Sequence, residues 1–499
     1  MNMNSTTAKA PAVIAPHTPV SSVSLVATNH VQLKRHPLNK KPIQGTLGLV
    51  TIRQALWERG FPRVSIFDPG CRSTPDIVRG RKRIVKRLRS MGAAESGAIV
   101  GISTSTDEYF KFPPLARLVR EEFPYATIVA GGSHFLREEI EGLVDPVEEA
   151  LTSGLCDAVQ VGHARAFVDF IAEHAGRLDR ADGSGFYRFD GKDVVGKGGG
   201  AYPHVSLVPY IFQPNAMKIM AMLGSTCRNG CDFCPAPRSR APLFDPATVV
   251  DSLAGPIDTL RAGALQLHDP NPFEREGFDY YDEVFSALDE RALTAKILYL
   301  DPAAMLDDDH ILRMAKLSWE RLGWFFFAGR DAVTEHSARA MGSRFKGRLK
   351  DQDQLDDERG AIGRFVRGLS CLHEQDPELK GAKRELTLSY ILTPFDTKES
   401  AMAIPDDIEA MMELNDENMV VTAGVFPLLP YPGTRVRRRY AAHIDPDFDF
   451  GAARDGTVSP WKPDAGPAMG LIERLAAWER GTGVYQLVDY MRDHIDRTF

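Results

Sequence analysis

Three thiols, Cys227, Cys231 and Cys234, fall within eight residues in the stretch GSTCRNGCDFCPAP (224–237). Their spacing is C-x3-C-x2-C, and they are half of the six cysteines in a chain of 499 residues. Thiolates are soft ligands suited to zinc or to iron–sulfur clusters. A structural zinc site takes four ligands, usually from two CxxC-like pairs, and the sequence offers no second pair. Three thiolates on one loop can instead hold three irons of a [4Fe–4S] cube and leave one iron open for a non-protein ligand. The competing readings are a zinc site completed by a histidine such as His268, or three unrelated cysteines; the spacing favours the cluster. Cys71, Cys156 and Cys371 stand alone and are expected to be buried structural thiols.

The elements that must position this loop are legible as alternating apolar runs and amphipathic stretches. Between Val23 and Gly176 the runs SLVAT, VSIFD, AIVGIST, TIVAGG and DAVQVG read as strands separated by helices. Continuous apolar strands of this kind predict a Rossmann-like parallel sheet covered on both faces. Such sheets bind ligands at the carboxyl ends of their strands. The candidate loops are therefore 28–48, 103–106, 131–134 and 162–164. Residues 177–215, with DGSGFYRFDGKDVVGKGGG, read as a small β linker.

A second series starts at Ala216, with strands KIMAMLG, ALQLHD, KILYLD, WFFFAG, LTLSYILT and VVTAGVFPLLP. Six βα-like units predict an open, partial (β/α)6 barrel of the TIM type, with chemistry at the strand C-termini. The thiol loop directly follows the first of these strands. The charged run at 343–360 reads as a solvated loop or helix end, and the region after Tyr440 as helices packed across the barrel opening. The expected division is a tail (1–21), a first α/β domain (22–176), a linker (177–215), the barrel (216–440) and a helical C-terminal region (441–499).

Bulk composition excludes several classes. Hydrophobic content of 43% with 25% charged residues is ordinary for a globular chain, and a net charge of -7 gives no case for nucleic-acid or membrane binding. The runs IMAML and WFFFA are far too short to span a bilayer. Residues 1–23 are rich in Ser, Thr, Ala and Pro without an apolar h-region, which predicts a disordered tail and no secretory signal. No acidic residue precedes Glu58, a weak sign of an organellar transit peptide. Six cysteines are too few for a disulfide framework, so a cytoplasmic, reducing location is expected.

The triplet, with Phe233 just before the last cysteine, resembles the signature of the radical S-adenosylmethionine superfamily. That resemblance implies a [4Fe–4S] cluster whose open iron chelates S-adenosylmethionine, and one-electron cleavage of the sulfonium to a 5′-deoxyadenosyl radical. Tyr431-Pro432-Gly433-Thr434 resembles the PGT segment of cobalamin-type members, although alone it is only a turn signal. ALQLHDPNPF resembles the second-strand end, with Asp269 and Asn271 in its polar positions, and ILTPFDTKES the fifth-strand loop. FFFAGRDAVTE offers Arg330 and Asp331 where many relatives carry a glutamate; by itself an arginine beside an aspartate is an exposed ion pair worth little. The resemblance thus implies Phe233, Asp269, Arg330, Thr393 and Pro432 around S-adenosylmethionine.

The order of domains resembles the cobalamin-binding radical S-adenosylmethionine family across most of residues 22–440. VGIST, IVAGGSHF and DAVQVG carry the first half of that likeness. It implies that Gly45, Thr46, Ser103, Thr104, Gly131, Gly132, Ser133, Gly162 and His163 approach cobalamin. The glycine pair would let the backbone reach the corrin or its nucleotide tail, though GG can equally be a tight turn. No D-x-H-x-x-G occurs: aligning its glycine with Gly48 puts Ile43 and Gly45 where Asp and His should stand. The resemblance then implies a lower cobalt face that is empty or water-bound. His36 and His134 are lone loop histidines, ordinarily solvated, and GHAR (162–165) stands where relatives often show GEGE. The implied activity is methyl transfer through methylcobalamin to a carbon of a small molecule, with an electron donor such as flavodoxin or ferredoxin. Alternatives are a non-methylating rearrangement or cyclisation, a radical enzyme that has lost cobalamin, and a zinc-stabilised ligand-binding protein. Tyr431, Trp461, Trp478 and Tyr485 could line a substrate pocket or be core.

Overall fold

The structure, a computed structural model, describes residues 20–28, 47–71, 74–135, 140–162, 164–174, 186–189, 194–196, 205–213, 217–224, 227, 229–234, 243–269, 277–288, 294–297, 299–300, 309, 311–313, 315–316, 325–375, 384–417, 419–446, 448, 460–477 and 484–499. Of these, 20–205 form one compact unit, and 206–448 with 460–499 a second. Among the described residues no helix is long and apolar enough to cross a membrane.

The first unit is built on one sheet. Its strands are β1 (Ser22–Ala27), β2 (Val64–Phe67), β3 (Ala98–Ser103), β4 (Thr127–Gly131), β5 (Ala158–Gln160), β6 (Phe186–Phe189) and β7 (Val194–Gly196), in the order β2-β1-β3-β4-β5-β6-β7. β1 to β5 run parallel; β6 and β7 add antiparallel. All six residues of β1 are buried, as expected for a strand covered on both faces. The helix Thr74–Ser90 shows how the cover is made: Ile77, Ile84, Val85 and Leu88 recur at helical spacing and enter the core, while seven Arg and Lys side chains face outward. Beneath it lie Phe112, Leu115 and Val119 of the helix Phe112–Glu122. Full burial of each such side chain stabilises the fold by about 1.5–3 kcal/mol. Because strand order reverses between β1 and β3, the connections leave those strands in opposite directions and open a crevice at their carboxyl ends.

The second unit has two parallel-rich sheets. One is ordered β11-β10-β9-β8, from β8 (Tyr210–Gln213), β9 (Lys218–Ala221), β10 (Ala264–Leu267) and β11 (Thr294–Ile297), with β8 antiparallel. The other is β12 (Tyr299–Leu300), β13 (Phe325–Asp331), β16 (Arg384–Leu392) and β17 (Met419–Pro427), all parallel; between β13 and β16 the chain makes the short hairpin β14 (Arg344–Phe345) and β15 (Arg348–Leu349). A single residue separates β11 from β12, so the chain steps straight from one sheet into the next. On β16 the alternation is plain: Leu386, Leu388, Tyr390 and Leu392 are fully buried, while Glu385, Thr387 and Ile391 on the other face are only partly covered.

Four expectations change. The 177–215 stretch is not a separate β module: β6 and β7 extend the first sheet, and β8 joins β9. The charged 343–360 run forms the β14–β15 hairpin and starts the helix Gln352–Gln375, and it buries a Lys350–Glu358 ion pair of 3.0 Å. A buried pair holds because each charge is the other's replacement for water. Cys71 and Cys156 are buried, but Cys371 is exposed on that same helix. The C-terminal region divides: the helix Val484–Thr498 flanks the helix Lys398–Met412, with Arg492 bonded to Asp406 and Glu409 at 2.7 Å each, while the segment before it lies on the strand ends, where Ala468 N–H donates to Pro394 O at 3.0 Å.

Candidate functional site

The thiol loop leaves β9 through Gly224, whose N–H donates to Asp269 Oδ1 at 2.6 Å. Asp269 follows β10 and is 2% exposed, and Tyr281 donates to its other oxygen at 3.5 Å. Burial pushes the Asp269 carboxyl up to about 7, against the pull of the Gly224 and Leu223 N–H groups. Beside it, His268 is pushed the other way, to about 4, by burial and then by the Lys218 charge. His268 Nε2 has no hydrogen-bond partner among the described residues. The residues at the end of β10 are therefore held near neutrality by desolvation.

Farther along the loop, Cys231 Sγ accepts the Arg344 N–H at 3.3 Å, and its thiol faces the Arg344 carbonyl at 3.5 Å. Burial pushes the Cys231 thiol well up, and the nearby Asp331 charge adds to this; the Arg344 N–H acts against them. Cys227 is half-buried and Cys234 exposed. Asp232 receives Arg344 Nε at 3.0 Å, Arg435 Nη1 at 3.3 Å and Arg439 Nη2 at 2.5 Å. Burial alone would raise its carboxyl, but these guanidinium groups outweigh burial and hold it below the usual range. Lys346 N–H bonds Asn229 Oδ1 at 3.2 Å, so the hairpin grips the loop at three residues. Phe233 is half-buried.

Among the described residues no three His, Cys, Asp or Glu side chains converge closely enough to hold a metal ion. The donor set still fits an iron–sulfur cluster better than a hard cation, being three thiols. The N–H···S contact from Arg344 favours the Cys231 thiolate, against the larger effect of burial.

Of the remaining residues of the predicted S-adenosylmethionine set, Thr393 and Pro432 follow the ends of the parallel strands β16 and β17, as Asp269 follows β10, whereas Arg330 lies within β13. Pro432 is buried in the turn before the helix Arg435–Arg439, where Thr434 caps by accepting the Arg437 N–H at 3.3 Å. Thr393 is fully buried after β16; its N–H binds Asp396 at 2.7 Å, and its Oγ1 has no partner among the described residues. Arg330 is not a surface residue. It is 1% exposed and bonds Asp407 of the helix Lys398–Met412 at 3.4 Å, with Tyr390 on the same carboxylate at 2.9 Å. It falls at the register shift between Gly329 and Asp331, and its bond to Asp407 puts it on the helix-covered face with Tyr390. Its neighbour Asp331 is the one whose charge reaches Cys231. Trp461 is 3% exposed, donates to Leu428 O at 2.6 Å and meets Phe395 and Tyr440 edge-on, whereas Tyr485 is 63% exposed. Asn271 and Trp478 lie outside the described residues.

The first unit holds a cavity of about 170 Å³ at the carboxyl ends of its parallel strands. Ser103, Gly131, Gly132 and Gly162 of the predicted cobalamin set line it. Thr104 does not, but it shapes it: its N–H donates to Gly131 O at 2.9 Å, and a Cβ on Gly132 would lie 2.2 Å from Thr104 O. Gly132 has φ 107°, a region closed to most side chains. Ser133 is exposed and off the cavity. Gly45, Thr46, His163 and His36 lie outside the described residues. His134 is fully buried and stacked on Tyr109 at 3.8 Å, so it is core and not a solvated loop histidine. Gly48, the end of the candidate loop 28–48, also lines the cavity, and sequence reasoning missed Gly101 and Gln160, which line it as well. Gln160 closes β5 by donating to Val161 O at 2.8 Å and accepting the Phe167 N–H at 2.9 Å. A lone polar residue ending an apolar strand was the available signal.

No family model and no curated protein matches the sequence. Among solved structures, the radical S-adenosylmethionine methyltransferase TsrM from Kitasatospora setae, with cobalamin and a [4Fe–4S] cluster bound, is similar over 85% of this chain and 75% of that chain, at 17% identity and a TM-score of 0.55. SuiB from Streptococcus suis, bound to S-adenosylmethionine, aligns over 56% of this chain and 48% of that one at 10% identity; its TM-score of 0.31 is too low to bear on the fold. The chain therefore has a mixed α/β fold with parallel sheets, similar to that of TsrM.

Proposed function

We propose that this protein is a cobalamin-dependent radical S-adenosylmethionine methyltransferase that methylates a carbon of a small molecule. The observation that carries the reading is the all-thiol loop at the carboxyl end of β9, in a chain whose fold is similar to TsrM. On this reading Cys227, Cys231 and Cys234 hold a [4Fe–4S] cluster, and Phe233, Asp269, Thr393 and Pro432 surround S-adenosylmethionine. The parallel strands β9, β10, β11 with β12, β13, β16 and β17 follow one another in the manner of a partial (β/α)6 barrel. The Rossmann-like first unit takes cobalamin. At about 170 Å³ its cavity is below the usual range for a whole ligand, which supports housing the nucleotide tail there rather than the corrin.

Bound at these sites, the cofactors supply one-electron bond cleavage and a methyl donor, while the chain positions them and keeps water out. Gly132 gives the main chain its close approach, and Gly48, with nothing within 4 Å of its Cβ position, leaves room beside it. Asp269 fixes Gly224 and with it the exit of the loop. An external reductant of the flavodoxin or ferredoxin type and a cytoplasmic setting complete the proposal.

The test is anaerobic purification with cobalamin supplied, followed by iron, sulfide and cobalt quantitation of wild type and Cys231→Ala. About four irons and one cobalt per chain, with iron lost and cobalt kept in the variant, is the expected result. Zinc without iron overturns the radical reading. Iron without cobalt removes the methylcobalamin step and leaves a radical enzyme.

A further inference from the structure

Between the second and third thiols stands one acid, Asp232, whose side chain is fully buried. Three guanidinium groups converge on it: Arg344 from the β14–β15 hairpin, and Arg435 and Arg439 from the helix behind the YPGT turn. The main chain is tied at the same residue. Asp232 N–H donates to Gly342 O at 2.9 Å, and Val436 N–H donates to Asp232 O at 3.1 Å. Gly342 closes the helix Glu335–Met341 with φ 68°, and a Cβ there would stand 2.5 Å from Asp232. The hairpin that supplies Arg344 also supplies the N–H on Cys231 Sγ.

One carboxylate against three arginines leaves a formal charge of +2, which Asp331, whose charge also reaches Cys231, reduces to +1 beside the thiols. Neutralising Asp232 needs one partner, so the other two serve something else. A buried carboxylate bonded from two directions fixes its own backbone, and Cys231 and Cys234 are its near neighbours in sequence. Positive charge beside a cluster stabilises the state that has gained an electron.

We propose that Asp232 is the positioning residue of the thiol loop. Through Arg344, Arg435 and Arg439 it sets the spacing of Cys231 and Cys234 before any cluster is loaded. The surplus arginine charge then favours the reduced cluster. This inference rests on the cluster reading above.

Asp232→Asn keeps the shape and removes the charge. In the metal-free full chain, amide hydrogen exchange across Cys231–Cys234 should quicken at least tenfold. After anaerobic reconstitution iron per chain should fall to less than half, and the midpoint potential of the cluster that forms should move positive. Arg435→Gln, at a half-exposed position, should move the potential negative with the fold intact. Opposite signs are what a merely structural role would not produce. Wild-type exchange, iron content and potential in Asp232→Asn overturn the inference, as do shifts of the same sign in the two variants. If Asp232→Asn fails to fold by circular dichroism, Arg435→Gln and Arg439→Gln decide the matter through the direction of their shifts. A wild type that takes zinc and no iron instead overturns the cluster reading, and the exchange measurement still decides whether Asp232 holds the loop.

Discussion

The glycine-lined cavity of the first unit and the thiol loop of the second both stand where parallel strands end, but they are made of different materials. Among the described residues no charged side chain lines the cavity; its walls are apolar groups, glycine backbone and a few neutral polar side chains. The loop is held by buried acids, Asp232 under three arginines and Asp269 on Gly224, with the half-buried Asp331 near Cys231. The contrast teaches what each can tolerate. A wall of main chain is specified by shape and is indifferent to pH and salt. A loop held by desolvated charges is specified by electrostatics and feels both.

The largest expected effect is steric. Gly132→Ala places a Cβ 2.2 Å from Thr104 O at φ 107°, and should destabilise the first unit by about 1–3 kcal/mol. Urea denaturation followed by a probe in that unit measures this, and the loss should not change with salt; a salt-dependent loss would break the contrast.

A middle-sized effect concerns pH. The raised Asp269 carboxyl contributes stability that is present below its unfolded value near 4 and lost as pH rises toward 7. The depressed His268 contributes stability that is present above about 6.5 and lost as pH falls toward 4. The two oppose each other between those values, so the wild-type profile should be flat there. Asp269→Asn should leave stability rising with pH, and His268→Gln should leave it falling. Equal slopes in both variants, read from thermal midpoints between pH 4.5 and 6.5, would show that these charges do not govern the loop.

The smallest effect sharpens the other side. Gly48 opens onto free space inside the helix Leu47–Glu58, so Gly48→Ala should stabilise the cobalamin-free chain by about 0.4–1 kcal/mol. Cobalamin binding, followed by its visible spectrum, should weaken as the cavity narrows. Unchanged binding would place the ligand elsewhere.

Much of this was legible in the sequence. Runs such as VSLVA and AIVGIS announce strands buried on both faces, and the thiol spacing marks the loop without any structure. What was not legible depends on distance along the chain. Asp232 meets Arg344 and Arg439 across 112 and 207 residues, and no local pattern links them. The basic run RVRRR behind YPGT was a signal, but a turn motif drew attention to its first half only. Arg330 was misread because the register shift between Gly329 and Asp331 is invisible to periodicity, and it decides which of two neighbours faces the loop. FYRF and VVG look like an isolated ribbon because they pair with each other, and the strand that ties FYRF to the sheet, β5, ends at Gln160.

That last pairing bears on how the protein can be divided. A fragment ended at residue 176, where composition suggests a boundary, would strip β6 and β7 from β5. It would present a naked row of N–H and C=O groups to any second copy, and such fragments self-associate. Ending the fragment beyond Gly196 keeps the short β7 outermost, a blunt rim that offers little to a neighbour.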